Sequence, residues 1–554
     1  MAAGALVVAG AAREGRRPIR SLDRPALVAL LLGLAGIGYR LVLLLLTVPG
    51  TNSDEATFGL VATHIAQGRT LPVYLYGQHY MGVLESYLAA PFFALFGPSW
   101  VLLRAPLLVL YAAFVYLMYR LTREIYSPWL ATFTVGLLAL GSERVVRDQM
   151  TAAGGRPETK PAVVLLLLLA IALAQGRIRR RWLAFAVFGL VAGASLWTDW
   201  LVIPYLAAAA VVLLAAAGRE LRGRAGLALL AGFAIGALPL IVDNLTAPPG
   251  QDSLSVFRQL SAGEGGPTTL PDRLHGAVLQ GIPLAAGLCR STGCAPWQMA
   301  WGALYPPLLV AAAALAVVHL RRARRTPETP AATAGPARWI RYVAQLALVG
   351  AAAVTLASYV RSSYAATAPL ASARYLATLQ ISLPVALWPL WRAAGWAWRG
   401  SGTRVWFRAA GVAALGLLAA MTAAMLFGTA SLVAQVGPIR AEEQRARTLA
   451  TALHRAGIRY VYGEYWTCNR LTFTTREKVI CAVLTERLKP GQDRYGPYGR
   501  RVHAERRTAF VFATGETADL ALRSYLSGRT IHTRVTEVGG YRIYQPDVTV
   551  QPWR

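Results

Sequence analysis

Acidic residues are scarce in this chain: 27 stand against 56 basic ones in 554 residues, a formal net charge of +29. Lysine is scarcer still. It occurs only at Lys160, Lys478 and Lys489, so arginine carries the positive charge. That excess would suit nucleic acid, but the arginines sit in short segments between apolar runs and no recognition motif accompanies them. Membrane orientation accounts for them better, because basic residues beside spans mark the ends kept in the cytoplasm. Cysteine is limited to four residues, and neither close pair has the spacing of a structural zinc site. A cytoplasmic tail is expected in place of a cleaved secretory signal: residues 1–12 are apolar, but Arg13, Arg16, Arg17 and Arg20 follow the apolar stretch instead of preceding it.

What the chain has in abundance is apolar sequence, 55% of it. Windows such as 25–48 are long enough to cross ~30 Å of hydrocarbon. Eleven spans are expected, at 25–48, 100–119, 129–142, 161–176, 182–198, 200–217, 226–243, 301–320, 341–359, 375–391 and 408–430. The apolar piece Leu84–Phe96 is short and carries Pro91, which suits an interfacial helix better than a crossing. Charge tests that choice. With 84–96 left out, Arg120/Arg123, Arg177 to Arg181, Arg219/Arg222/Arg224, Arg321 to Arg325 and Arg392/Arg399/Arg404 all fall on the side of the N-terminal tail; with it counted, all fall outside.

Odd parity then puts the polar segment after about residue 430 outside. It reads as a small α/β domain: a helix at 441–456, a strand at 458–462, a hairpin at 468–484, a buried strand at 508–512, a helix at 517–526 and a last strand pair around Gly539-Gly540. The expected domains are a cytoplasmic tail 1–24, a membrane part 25–435 containing a first outer loop 49–99, and an extracytoplasmic domain 436–554. All four cysteines fall outside, where disulfides persist. Proximity favours Cys289 with Cys294 and Cys468 with Cys481.

Long outer loops usually serve function. The first opens on Asp54-Glu55, five residues past an apolar run, and acidic groups at a membrane edge mark substrate, ion or proton sites. The plainer alternative is a surface carboxylate paired with an arginine, or one capping a helix that begins near Ala56. Downstream lie Tyr76-Gly77-Gln78-His79-Tyr80, the 84–96 helix ending Leu95-Phe96-Gly97, and Leu103-Arg104-Ala105-Pro106; Arg374-Tyr375-Leu376 comes later.

This order of elements resembles the GT-C membrane glycosyltransferases, in particular the protein O-mannosyltransferase and lipid A aminoarabinose transferase type. The likeness in layout covers roughly the first 245 residues. It implies a polytopic α-helical GT-C-like fold and an enzyme of the cytoplasmic membrane, with its N-terminus inside and its C-terminal domain outside. The implied reaction moves a hexosyl or pentosyl unit from a polyprenyl-phosphate donor to a hydroxyl on an envelope lipid, glycan or protein, usually with inversion. No nucleic acid is involved. Asp54 matches the first acid of the family's Asp-Glu motif and is the expected general base, with Glu55 as helper.

The leaving phosphate calls for cations. Lys160, Arg104 and Arg374 qualify, each with interfacial snorkelling as its alternative. Glu158 stands where relatives place a second acid, with Asp148 close by, and Asp54 with Glu158 could hold a divalent metal (magnesium, manganese or zinc) against the phosphate. His79 and Tyr80 are candidate substrate contacts. Asp199, between Trp197 and Trp200, reads as an interface anchor. A transporter or flippase for a lipid-linked glycan is the second reading, set back because neither repeated halves nor mid-span charges stand out. A membrane-anchored binding protein is the third.

Overall fold

The computed structural model describes residues 23–262, 267–325, 339–397 and 405–553. The expected tail up to residue 22, with its arginines, and the loop arginines Arg399 and Arg404 lie outside the described residues. Among the described residues, nine helices are long and apolar enough to cross a membrane. Two further pairs, Pro128–Ala139 with Glu143–Met150 and Arg224–Gly236 with Leu238–Thr246, reach that length only as bent helices, broken by 92° and 60°. These eleven segments fall on the eleven expected spans, and Leu84–Phe96 is a separate short helix. The chain is a polytopic helical membrane protein with a small sheet near its C-terminal end.

Contacts divide the chain into two compact units. One comprises the chain up to Arg40, Leu108–Gln149 and Gly155–Val433; the other comprises Leu41–Leu107, Met150–Gly154 and the chain from Ala434 on.

The first unit is a helical bundle. Hydrocarbon gives no hydrophobic drive between helices, so close packing must bind them, and small residues allow it. Helices Arg181–Thr198 and Arg224–Gly236 show this. Gly189 and Gly193 on one, and Gly232 and Gly236 on the other, each face a carbonyl of the opposite helix so closely that an added Cβ would stand 2.0 to 2.4 Å from it.

The 92° break has a visible support. Arg40 is fully buried near the end of helix Arg24–Leu45. It donates to the carbonyls of Ala139 (2.8 Å), Leu140 (3.1 Å) and Leu138 (3.2 Å). Those are carbonyls that a helix ending at Ala139 leaves without intrahelical partners. The Arg40 guanidinium also lies over the Tyr111 ring at 3.9 Å. One charged side chain thus stabilises the break at which helix Glu143–Met150 begins.

The second unit holds a five-stranded sheet of order β2-β1-β3-β5-β4. Its strands are β1 (Tyr460–Gly463), β2 (Ile480–Val483), β3 (Ala509–Ala513), β4 (Thr533–Val538) and β5 (Tyr541–Pro546). β1 runs parallel to β2 and β3, while β5 is antiparallel to β3 and β4. The expected hairpin at 468–484 is corrected here: Tyr465–Thr474 is a helix, and the return strand β2 is parallel to β1. Cys468, Leu471 and Thr472, spaced at i, i+3 and i+4, are buried together with Asn469 and Phe473, and the helical period is masked by the β-prone Leu-Thr-Phe-Thr run. A helix at Gly496–Ala504 was not foreseen. Both cysteine pairings hold, Cys289–Cys294 in the first unit and Cys468–Cys481 in the second.

In the same unit, helix Ser53–Ala66 packs against helix Tyr465–Thr474. Gly59 makes room for the Phe473 ring, whose Cε2 would be 2.6 Å from an added Cβ. Phe473 also stacks with Phe93 at 6.0 Å and meets Trp100 edge-on at 4.7 Å. Asn469 donates to Thr57 Oγ1 at 2.8 Å. The loop 49–99 and the C-terminal segment are thereby built into one body.

Candidate active site

Helix Ser53–Ala66 starts earlier than expected, and its N-cap is Asn52, whose Oδ1 accepts from the Glu55 amide at 2.9 Å. Asn52, not the Asp54-Glu55 carboxylates, therefore caps the helix. This leaves the Asp54 carboxylate in the first turn without a capping duty. Its Oδ1 accepts from the Tyr465 hydroxyl and from Arg494 Nη2 at 3.1 Å. Arg494 Nε in turn donates to the Tyr465 oxygen at 2.7 Å, closing a triangle. The side chain stays 41% exposed.

Tyr465 is pushed up to about 12, by burial first and then by its hydrogen bond to the Asp54 carboxylate and that group's charge. It therefore remains a neutral donor. Arg494 is placed by its neighbours: Asp493 accepts from the Val483 amide at 2.8 Å, and Gly77, at φ +71°, lets the aromatic loop approach the Arg494 carbonyl.

Glu55 is arranged differently. Its two oxygens accept from Arg104 Nε and Nη2 at 2.6 Å each, with the side chains 0% and 1% exposed. Arg104 Nη1 donates to the Pro49 carbonyl at 2.8 Å. The edge of the guanidinium that a phosphate would take is thus occupied by Glu55.

A third cluster centres on buried His64. Its Nδ1 is 2.7 Å from the Tyr76 hydroxyl, and its Nε2 is 3.1 Å from Tyr498 and 3.3 Å from Glu477. Arg69 donates to both Glu477 oxygens, at 2.7 and 2.9 Å. Burial alone would raise Glu477, but the hydrogen bonds from His64, Arg69 and Tyr498 outweigh it and hold the carboxyl down at about 2. His79 and Tyr80 lie half-buried in the loop closed by the Tyr74–Gly82 bridge. Glu85 is buried and accepts from the amides of Ala153 (3.3 Å) and Gly154 (3.0 Å).

The other sequence candidates belong to the first unit. Lys160 is 1% exposed and donates to Gln380 Oε1 at 3.2 Å. Gln149 links the same Gln380 oxygen (3.4 Å) to Arg40 Nε (2.8 Å). Arg374 is half-buried, its guanidinium 5.2 Å from the Tyr375 ring centroid. Arg144 donates to the Leu370 carbonyl at 2.8 Å and lies within electrostatic reach of Asp148, Arg147, Arg156 and Arg374. Lys160 lies within reach of Asp148, Arg156 and Arg40. It is Asp148 that pairs with Arg156, at 3.1 Å; Glu158 is buried in the first turn of helix Arg156–Ala174. Asp199 accepts from the Leu201 amide at 2.9 Å and caps the next turn.

Among the described residues no three His, Cys, Asp or Glu side chains converge on one point as metal ligands. Asp54 and Glu158, the pair expected to hold a divalent metal, belong to different units.

Arg40, Arg144, Gln149, Gln380, Tyr465 and Arg494 were not foreseen as site residues. Only Arg40 carried a sequence signal, as a lone charge inside the 25–48 run, and it corrects the expectation that no mid-span charge stands out.

The architecture, with its many apolar helices, a helix opening on Asp-Glu and a small C-terminal sheet, is similar in fold to solved structures of membrane glycosyltransferases. The particular likeness is to the crystal structure of ArnT from Cupriavidus metallidurans bound to undecaprenyl phosphate. It extends over 93% of this chain and 97% of that one, with a TM-score of 0.57 at 13% identity. The archaeal oligosaccharyltransferase AglB from Archaeoglobus fulgidus, in complex with an inhibitory peptide and a dolichol-phosphate, matches 96% of this chain and 74% of its own at 13% identity and a TM-score of 0.47. The arabinosyltransferase EmbB from Mycobacterium smegmatis matches 82% and 45% at 14% identity and 0.34. No protein-family model matches the sequence, and no curated protein sequence is significantly similar to it.

Proposed function

We propose that this protein transfers a sugar from a polyprenyl-phosphate donor to an acceptor hydroxyl at the outer face of the cytoplasmic membrane. The observation that carries the reading is the fold likeness, over nearly the whole of both chains, to a structure holding undecaprenyl phosphate.

In this reading the acceptor oxygen bonds to the anomeric carbon as the bond from that carbon to the phosphate oxygen breaks. The phosphate leaves with the electron pair, and Asp54 takes the acceptor's proton. Its exposure and its place in the first helical turn support that role. Within the first unit by itself, the cation-rich group of Arg144, Arg156, Lys160 and Arg374, with Asp148 as counter-charge, supports a capacity to bind phosphate through guanidinium forks and an ammonium. Glu55 and Arg104 are proposed to hold the start of the Asp54 helix rather than to touch substrate, because each already saturates the other.

The test is the mass of the product that membranes carrying the protein form from radiolabelled lipid-linked sugar, compared with the Asp54→Asn variant. Transfer by the wild type with at least about a hundredfold loss in the variant is expected, on the scale of a lost general base. A variant that folds, inserts and keeps normal turnover refutes the assignment; flux of a lipid-linked glycan without transfer refutes the enzyme reading.

A further inference from the structure

The C-terminal α/β segment places two side chains on Asp54, 411 and 440 positions away in sequence. We infer that Tyr465 and Arg494 are positioning residues that clamp one oxygen of Asp54 and so leave the other aimed outward for the acceptor proton. This rests on Asp54 being the base proposed above.

Three observations support the clamp. Both donors converge on the same oxygen, Oδ1, and are bonded to each other, so they act as one rigid unit. Tyr465 is the first residue of a helix anchored at Cys468 to β2 by a disulfide, at Asn469 to Thr57 and at Phe473 to Gly59, and Ser53 Oγ donates to the Tyr465 carbonyl at 2.5 Å. The helix bearing the donor is therefore fastened to the helix bearing the acceptor. Arg494 is 11% exposed in its side chain while Asp54 is 41% exposed, so the buried side of the pair is the clamp and the open side is the carboxylate.

The other charged groups around this turn are engaged elsewhere. Glu55 pairs with Arg104, and Arg470 binds Glu443 at 3.1 Å and Thr51 Oγ1 at 2.8 Å. Arg494 is thus the cation that faces Asp54. A fixed orientation matters because a base displaced by about 1 Å can cost ~10²-fold in rate.

The experiment has two arms on the full-length protein in detergent or proteoliposomes. The first records the infrared carboxylate stretching bands of Asp54 at neutral pH, assigned by difference from Asp54→Asn, in the wild type, Tyr465→Phe, Arg494→Met and Arg494→Lys. The carboxylate stretch should shift in both Arg494→Met and Tyr465→Phe, because each removes a hydrogen bond to Oδ1. Arg494→Lys should reverse most of the shift. The second arm measures transfer from a panel of synthetic undecaprenyl-phosphate pentoses and hexoses. It should show kcat falling about tenfold in Tyr465→Phe and ~10²-fold in Arg494→Met, with donor KM unchanged.

A merely structural role would lower thermal stability and leave the Asp54 carboxylate bands where they were. Unshifted carboxylate bands in both Tyr465→Phe and Arg494→Met overturn the inference, as does a raised donor KM with kcat intact. Should Arg494→Met fail to fold, Arg494→Lys and Tyr465→Phe still decide it. A wild type that transfers none of the panel overturns the transfer reading instead, and the infrared arm judges the clamp independently.

Discussion

The Arg104→Met variant separates two meanings of one residue. Arg104 is either a phosphate ligand, as its place near a span end suggested, or half of a buried ion pair. The geometry favours the pair: two 2.6 Å bonds to Glu55, a third to the Pro49 carbonyl, and exposures of 1% and 0%. Methionine keeps the apolar stem but removes all three donors, leaving the Glu55 carboxylate buried without its partner. Breaking such a pair costs about 3–5 kcal/mol. At 1.4 kcal/mol per factor of ten, the folding equilibrium should shift by roughly 10² to 10⁴. Thermal unfolding of the purified protein, followed by tryptophan fluorescence, reads the loss. The double variant Glu55→Gln/Arg104→Met should recover most of it, because no unpaired charge then remains, so the cycle should show strong coupling. Wild-type stability in Arg104→Met together with weaker binding of undecaprenyl phosphate would refute the reasoning and return Arg104 to the donor.

Two further outcomes follow from the packing and the electrostatics. Gly193→Ala and Gly232→Ala put a methyl 2.4 and 2.1 Å from a facing carbonyl and should each destabilise by about 1–3 kcal/mol through overpacking, whereas Gly350→Ala, with nothing within 4 Å, should be neutral or slightly stabilising; equal melting curves for all three would contradict the close helix pairing. Glu477 has a folded pKa of about 2, below its unfolded value near ~4.3, so its contribution is complete above the unfolded value and is lost as pH falls through about 2. A Glu477→Gln variant should lose stability mainly above pH ~4.3 and little near pH 2; an equal loss at both ends would show that the His64–Arg69–Tyr498 hydrogen bonds do not hold the carboxylate.

Much of the membrane architecture was legible in the chain. A span is recognised by length and apolarity because hydrocarbon thickness sets a local requirement, so each of the eleven runs could be read without knowing its neighbours. The bent helices were harder. The 129–142 run reads as one short crossing, and the Arg40 and Tyr111 side chains, from two other helices, explain how its carbonyls survive a 92° turn. In the C-terminal segment β1, β3 and the final pair were visible from alternation and turn residues. Helix Tyr465–Thr474 was not, because Leu471, Thr472 and Phe473 favour a strand locally and the burial of one helical face against Gly59 and β2 overrode that preference.

The sequence by itself determined that this is a multi-span membrane protein, that its cysteines pair by proximity, and that Asp54-Glu55 is a costly acidic pair worth explaining. Tertiary structure decided what each carboxylate does. Glu55 is sealed against Arg104, while Asp54 stays open beside Tyr465 and Arg494. Adjacent residues of the same charge in one helical turn point in different directions, and the partner each meets comes from a distant segment. No local rule of composition or spacing contains that information.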